Sequence, residues 1–145
     1  MLETMKRKGK SEVHKKILQA SGSKITPRRL ALLAILKKAN KPLSVEELAK
    51  ALSGRMDRVT VYRALDALSA AGSVRRIDVG HAHAHYELTG EHHHHLICKS
   101  CGRIEDVSEC PGANLEKRAL QTSKHFGRIE DHALEFFGLC NACVA

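Results

Sequence analysis

Between residues 12 and 72 the apolar positions recur at helical spacing, punctuated by residues that start and stop helices. Val13, Ile17 and Leu18 repeat at helical intervals and end at Ser21-Gly22-Ser23, which predicts a short amphipathic helix after a polar, lysine-rich start. Thr26 is an N-cap before Pro27, whose fixed φ suits a first helical position; Leu30, Leu33, Ala34 and Leu36 then give a second helix its stripe, ending near Lys37-Lys38. Pro42 breaks the chain. Ser44, with Glu47 three residues on, is a capping box for a third helix that buries Val45, Leu48, Ala49 and Leu52 and stops at Gly54. A fourth, from Asp57 to Ala71, turns Val61, Leu65 and Leu68 inward and leaves Arg58, Thr60, Tyr62, Arg63 and Asp66 largely off that stripe. The short link around Gly54 gives the last two helices the proportions of a helix-turn-helix, with the fourth as the recognition helix.

The rhythm then changes. Val74 to Val79 and His83 to Leu88 are two short runs separated by Gly80, a β-hairpin in sequence terms, and a helix-turn-helix followed by a hairpin is a winged helix. Beyond it, His93 to Cys98 and Ile104 to Val107 predict strands, Pro111 to Phe126 a helix with Leu115, Ala119 and Leu120 on one stripe, and Arg128 to Leu139 a last strand. The expected class is α+β: a winged helix-turn-helix DNA-binding domain over 1–88, then a small α/β domain over 89–145. A domain of that size commonly needs a metal or a second copy for stability.

Composition sharpens this. With 145 residues, 43% hydrophobic and 28% charged, the chain is globular rather than disordered. No window is long and apolar enough for a membrane span, and charges fill the start where a signal peptide is apolar, so a cytoplasmic protein without a membrane partner is expected. The net charge of +8 divides into +10 over residues 1–88 and −2 over the rest, a segregation that suits a polyanion such as nucleic acid. Aromatic residues at 3%, with no Trp, argue against single-strand binding by stacking.

All five cysteines lie in the acidic part. Cys98-Lys-Ser-Cys101 and Cys140-Asn-Ala-Cys143 each offer two thiolates from a tight turn, and together they make an all-thiolate tetrahedral set that predicts a structural Zn2+. Cys110, before a proline and without a paired partner, reads as a small buried hydrophobe or a free thiol rather than a ligand. In the run His92-His93-His94-His95 the alternation of a strand sends His92 and His94 one way and His93 and His95 the other, so one segment offers ligands to two sites, with Glu87, Asp106 and Glu116 as available carboxylates. His81, His83 and His85 share a face of the wing; polar surface is the first reading, with a metal or phosphate contact as the others.

Thr26-Pro-Arg-Arg29, Val59-Thr-Val-Tyr-Arg-Ala-Leu65, His92-His-His-His-Leu-Ile-Cys-Lys-Ser-Cys-Gly102 and the closing Cys140-x-x-Cys143 together resemble the ferric uptake regulator (Fur) family of metal-responsive repressors over nearly the whole chain. The resemblance implies a homodimer that binds a palindromic double-stranded operator, with Tyr62 and Arg63 matching its DNA-contacting residues; Arg29, Arg58 and Thr60 join them as DNA-binding candidates. It implies structural zinc at Cys98, Cys101, Cys140 and Cys143. It implies a regulatory ion (Fe2+, Zn2+ or Mn2+, with iron in the lead) at Glu87, His93, His95 and Asp106, and an additional site at His92, His94, Glu116 and His132. Many members supply a further regulatory His before the third helix, where this chain has Asn40-Lys41-Pro42-Leu43; His83 and His85 are the candidates to replace it.

A zinc-uptake or peroxide-sensing regulator is the alternative within the family; Asp106 stands where the peroxide-sensing branch has Asp. Of the other classes, a metalloenzyme needs an open coordination position and a nucleophile-base pair, and has no use for the +10 half. Metal storage leaves the helix-turn-helix unexplained.

Overall fold

The computed structural model describes residues 12–79, 83–110 and 112–144; the lysine-rich start, the Gly80 turn, His81 of the wing and Pro111 lie outside them. The chain divides into two compact units between Gly90 and Glu91.

The first unit runs α1 (12–20), α2 (Pro27–Ala39), β1 (Leu43–Ser44), α3 (Val45–Ala51), α4 (Arg58–Ala70), β2 (Val74–Asp78) and β3 (Ala84–Leu88). The expected caps form. The Thr26 hydroxyl accepts from the Arg29 amide at 3.3 Å, and α2 ends at Asn40 in the left-handed region, φ 55°, two residues before Pro42. At α3 the Glu47 amide donates to Ser44 Oγ at 3.1 Å while the Ser44 amide donates to Glu47 Oε2 at 2.8 Å, so both orphan donors are satisfied. Ser53 and Gly54, both at positive φ, reverse the chain, and Asp57 caps α4 by accepting from the Thr60 amide at 2.8 Å. Helix, tight turn, helix and a two-stranded wing is the winged helix-turn-helix read from the sequence.

Fourteen buried residues form one core around α2, α3, α4 and the sheet, Leu32, Leu33, Leu48, Leu65 and Leu68 among them. At roughly 1.5–3 kcal/mol for each large side chain removed from water, this unit has an apolar core of ordinary size.

Three sequence readings are corrected here. Val13 is 56% exposed, and α1 instead packs through His14, Leu18 and, in part, Ile17. The α2 stripe is Leu32, Leu33 and Leu36 while Ala34 is exposed, because a helix with apolar residues on every side leaves the choice of face to its neighbours. Two-residue β1, too short for a periodic signal, pairs with β3 (Leu43↔Tyr86, Ser44↔His85) and makes the sheet three-stranded, in the order β1-β3-β2.

The second unit has β4 (His94–Cys98) between antiparallel β5 (Ile104–Val107) and parallel β6 (Glu135–Gly138), with α5 (Gly112–Thr122) before β6 and α6 (Asn141–Val144) after it. The helix expected to reach Phe126 stops at Thr122. There the Thr122 hydroxyl donates to the Ala119 carbonyl at 2.9 Å, and Ser123 Oγ accepts from the Phe126 amide at 3.0 Å, side-chain bonds that compete with another helical turn. The strand expected from Arg128 forms only at Glu135, where it meets His95 of the five-residue β4. Buried apolar residues number two among those described here, Ile97 and Cys98, and the other buried side chains are His94 and His95. Leu115 on α5 and Phe126 are 45% and 73% exposed.

Ser44→Ala should cost about 1 kcal/mol in urea unfolding of the full chain. Burial raises the Glu47 pKa, but the Ser44 hydrogen bonds, Lys41 and His85 together hold it below its ordinary 4.5. A carboxylate of depressed pKa stabilises above its unfolded value and loses that contribution as pH falls through the folded one, so the Ser44→Ala penalty should shrink on acidification below about 4.5. A penalty that grew there would contradict the capping role.

Candidate metal centres and DNA-binding face

The two Cys-x-x-Cys turns meet because β4 and β6 are neighbours. β4 ends at Cys98, and its turn closes through the Gly102 amide to the Cys98 carbonyl at 2.9 Å, with Gly102 at φ 74°. The Lys99 amide then donates to the Gly138 carbonyl at 2.8 Å, which carries Cys140 alongside. Cys101 Sγ and Cys140 Sγ are 3.7 Å apart, and all four sulfurs lie within 4.8 Å of one another. A zinc tetrathiolate with Zn–S of about 2.3 Å has S···S edges of about 3.8 Å, so the set fits a tetrahedral ion with four protein ligands.

Its electrostatics point the same way. The Cys101 and Cys140 amides facing its sulfur pull the Cys98 thiol down to about 6. For Cys143 the Ser100 hydroxyl acts downward, yet the Cys140 and Cys101 sulfurs outweigh it and push the thiol up to about 11. Four thiolates this close cannot all ionise without a cation between them.

The His run divides as strand alternation requires. His93 and His95 stand with ring centroids 4.9 Å apart, His93 Nδ1 donates to the Glu91 carbonyl at 2.7 Å, and His95 Nε2 lies 3.6 Å from Asp106 Oδ1 across the β4–β5 ladder. Glu87, in the first unit, is buried against Arg75 of β2, whose Nε and Nη2 donate to Oε1 at 3.0 and 2.5 Å.

On the other face His92, His94 and His132 converge through their Nε2 atoms at 3.0 to 3.4 Å. The fourth member is Cys110, whose Sγ lies 3.0 Å from His94 Nε2, 3.3 Å from His92 Nε2 and 3.1 Å from His132 Nε2. Cys110 is thus neither buried nor apart from other donors, as its isolation in sequence had suggested. Glu116 stands one step behind, its Oε1 accepting from His132 Nδ1 at 2.6 Å. Strand periodicity paired the histidines but gave no signal for Cys110, which the turn before α5 delivers.

His83 is exposed, whereas His85 is half-buried with its Nδ1 enclosed and without a hydrogen-bond partner, so the polar-surface reading fails for His85. It borders a groove of about 440 Å³ shared with Glu47, Arg58, Tyr62 and Arg76. On α4 the side chains of Arg58, Val59, Thr60, Tyr62 and Arg63 are exposed; Arg58 is ion-paired with Glu46 at 2.7 Å. Arg29 is half-buried, its Nη1 donating to the Lys24 carbonyl at 3.0 Å. No helix among the described residues is long and apolar enough to cross a membrane.

Comparison with known proteins gives one family. The profile described as the ferric uptake regulator family matches residues 20–137. The ferric uptake regulation protein of Legionella pneumophila is 41% identical over 132 residues, 87% of this chain and 95% of that one. The peroxide operon regulator of Bacillus subtilis is 31% identical over 129 residues, covering 87% and 88%. Among solved structures, the Vibrio cholerae ferric uptake regulator superposes with a TM-score of 0.73 at 29% identity, covering 86% of this chain and 98% of that one.

An ion entering the four-thiol set must displace the proton that Cys143 keeps up to about 11. Affinity should therefore rise with pH through neutrality, about tenfold per pH unit for each proton released, in competition with a chelator of known protonation. An affinity flat between pH 6.5 and 8.5 would contradict binding by this set.

Proposed function

Because the chain belongs to the ferric uptake regulator family, and is thus a metal-responsive, DNA-binding transcriptional regulator rather than an enzyme, we propose that it is a cytoplasmic repressor of metal-uptake genes that senses Fe(II). Residues 1–88 are its DNA-binding domain, and 89–145 its metal-binding dimerisation domain. The observation that carries this reading is the combination, in one chain, of a winged helix whose α4 exposes Arg58, Thr60, Tyr62 and Arg63 and a second unit that gathers metal donors and buries few apolar side chains among its described residues.

Zinc at Cys98, Cys101, Cys140 and Cys143 is structural, since all four positions come from protein. Fe(II) is the switch, held by Glu87, His93, His95 and Asp106, an oxygen- and imidazole-rich set suited to iron, manganese or zinc. Metal and operator must then each tighten binding of the other by the same factor. Glu87 already carries the Arg75 pair, so a metal shares that carboxylate with a guanidinium or displaces it.

The dimer presents two copies of α4 to a palindromic operator, with Tyr62 and Arg63 reading the duplex and Arg29, Arg58 and Thr60 beside them. The apolar side chains left exposed in the second unit, Leu115 and Val144 among them, suit burial against a second copy. Peroxide sensing at the same ion is the second reading, favoured by Asp106 and by the relative that regulates a peroxide operon.

The test is binding to duplexes selected from a random pool with Fe(II) under anaerobic conditions. Binding should vanish with chelator, and log K should fall by about 0.9 per contacted phosphate for each tenfold rise in salt. Arg63→Ala should weaken binding without altering the fold, and His93→Ala should abolish metal dependence in a chain that keeps its zinc. Metal-independent binding, or a salt slope near zero, would overturn the proposal; loss of binding on adding peroxide to the iron-loaded protein would move it to the second reading.

A further inference from the structure

The cluster of His92, His94, His132 and Cys110 carries more than the additional site named by resemblance. Four donor atoms have six pairwise distances, and here they span 3.0 to 3.4 Å. A tetrahedral zinc ion with ordinary Zn–N and Zn–S bonds sets edges of about 3.3 Å between nitrogens and about 3.6 Å from nitrogen to sulfur. The four atoms therefore describe a slightly contracted coordination tetrahedron.

Protons cannot account for that convergence. His94 Nδ1 lies 3.1 Å from the Leu134 carbonyl, and His132 Nδ1 lies 2.6 Å from Glu116 Oε1. Both oxygens only accept, so each Nδ1 carries a hydrogen and each ring turns its Nε2 toward the other, 3.4 Å away, in the orientation a metal-ligating imidazole takes. A shared proton would satisfy one edge of the tetrahedron; a cation at its centre satisfies all six.

The surroundings are shaped for the sulfur. The Gly112 amide, at the start of the eleven-residue α5, donates to Cys110 Sγ at 3.2 Å and so fixes where the sulfur points. Gly112 itself has no room for a side chain: a Cβ there would lie 2.3 Å from His132 Cε1 and 2.7 Å from Cys110 Sγ.

We propose that Cys110 is the fourth protein ligand of a His92–His94–His132–Cys110 zinc(II) site, and that Glu116 is not a ligand but orients His132 from behind. This rests on the additional metal site that the family resemblance implies and changes its chemistry. With a thiolate in the set and all four tetrahedral positions filled by protein, the site selects zinc over Fe(II) or Mn(II), which prefer harder donors and more of them. The second unit would then hold zinc at both ends of β4.

The test uses the full chain carrying His93→Ala, which disables the switch site and keeps zinc at the four-cysteine set, titrated with Co(II) as a spectroscopic stand-in for zinc. The second ion should bring a sulfur-to-cobalt charge-transfer band and the intense visible bands of tetrahedral cobalt, both discharged by one equivalent of Zn(II). Cys110→Ser should lose the charge-transfer band and bind at least the ~10–100-fold more weakly that loss of an outer partner costs. Glu116→Gln should keep the band and lose affinity within that range. A second cobalt without the band, a band that survives Cys110→Ser, or no second cobalt at all would overturn the assignment. None of these readouts involves DNA or the iron switch, so the regulatory reading stands or falls separately.

Discussion

Convergence of sulfur and imidazole donors, in a unit that buries almost no apolar side chain among its described residues, is the constraint on which the second half of this molecule depends. The first unit needs no such device: its helices bury one leucine-rich core and set their own ends with Thr26, the Ser44–Glu47 box and Asp57. The second unit buries Ile97 and Cys98 among apolar side chains and otherwise His94 and His95. Its three short strands bring four sulfurs within 4.8 Å of one another, a set that cannot ionise without a cation to hold it. The metals thus do the work that hydrophobic burial does next door.

One strand organises both ends of that arrangement. β4 delivers His94 and His95 to opposite faces at its start and Cys98 to the thiol set at its end. The alternation of side chains in extended backbone therefore separates a face with His93, His95 and Asp106 from a face whose donors are nitrogen and sulfur. Chemically distinct donor sets on one small sheet suit different metals, thiolate-rich sets zinc and imidazole-carboxylate sets iron, manganese or zinc.

Much of this is legible in the residues. The caps, the helix-turn-helix spacing and the Cys-x-x-Cys pairs are local signals, each written within a few positions, and the His run declares its own two faces through period two. What is not legible depends on tertiary neighbours. Leu32 rather than Ala34 faces the core because α2 is apolar on several sides and its partners decide. β1 is set by pairing with β3, which no two-residue window announces. Cys110 looked solitary because its partners lie 16, 18 and 22 residues away, and the contact of Glu116 with His132 spans 16 residues that no local pattern links.

The central claim, that coordinated metal and not apolar burial holds the second unit together, is tested most directly by amide hydrogen exchange on the full chain with its zinc and after stripping. Peptides covering 94–98 and 135–138 should lose their protection on metal removal while those covering 27–39 and 58–70 keep theirs, and zinc should restore the difference. Unchanged protection along β4 and β6 in the stripped protein would contradict the account.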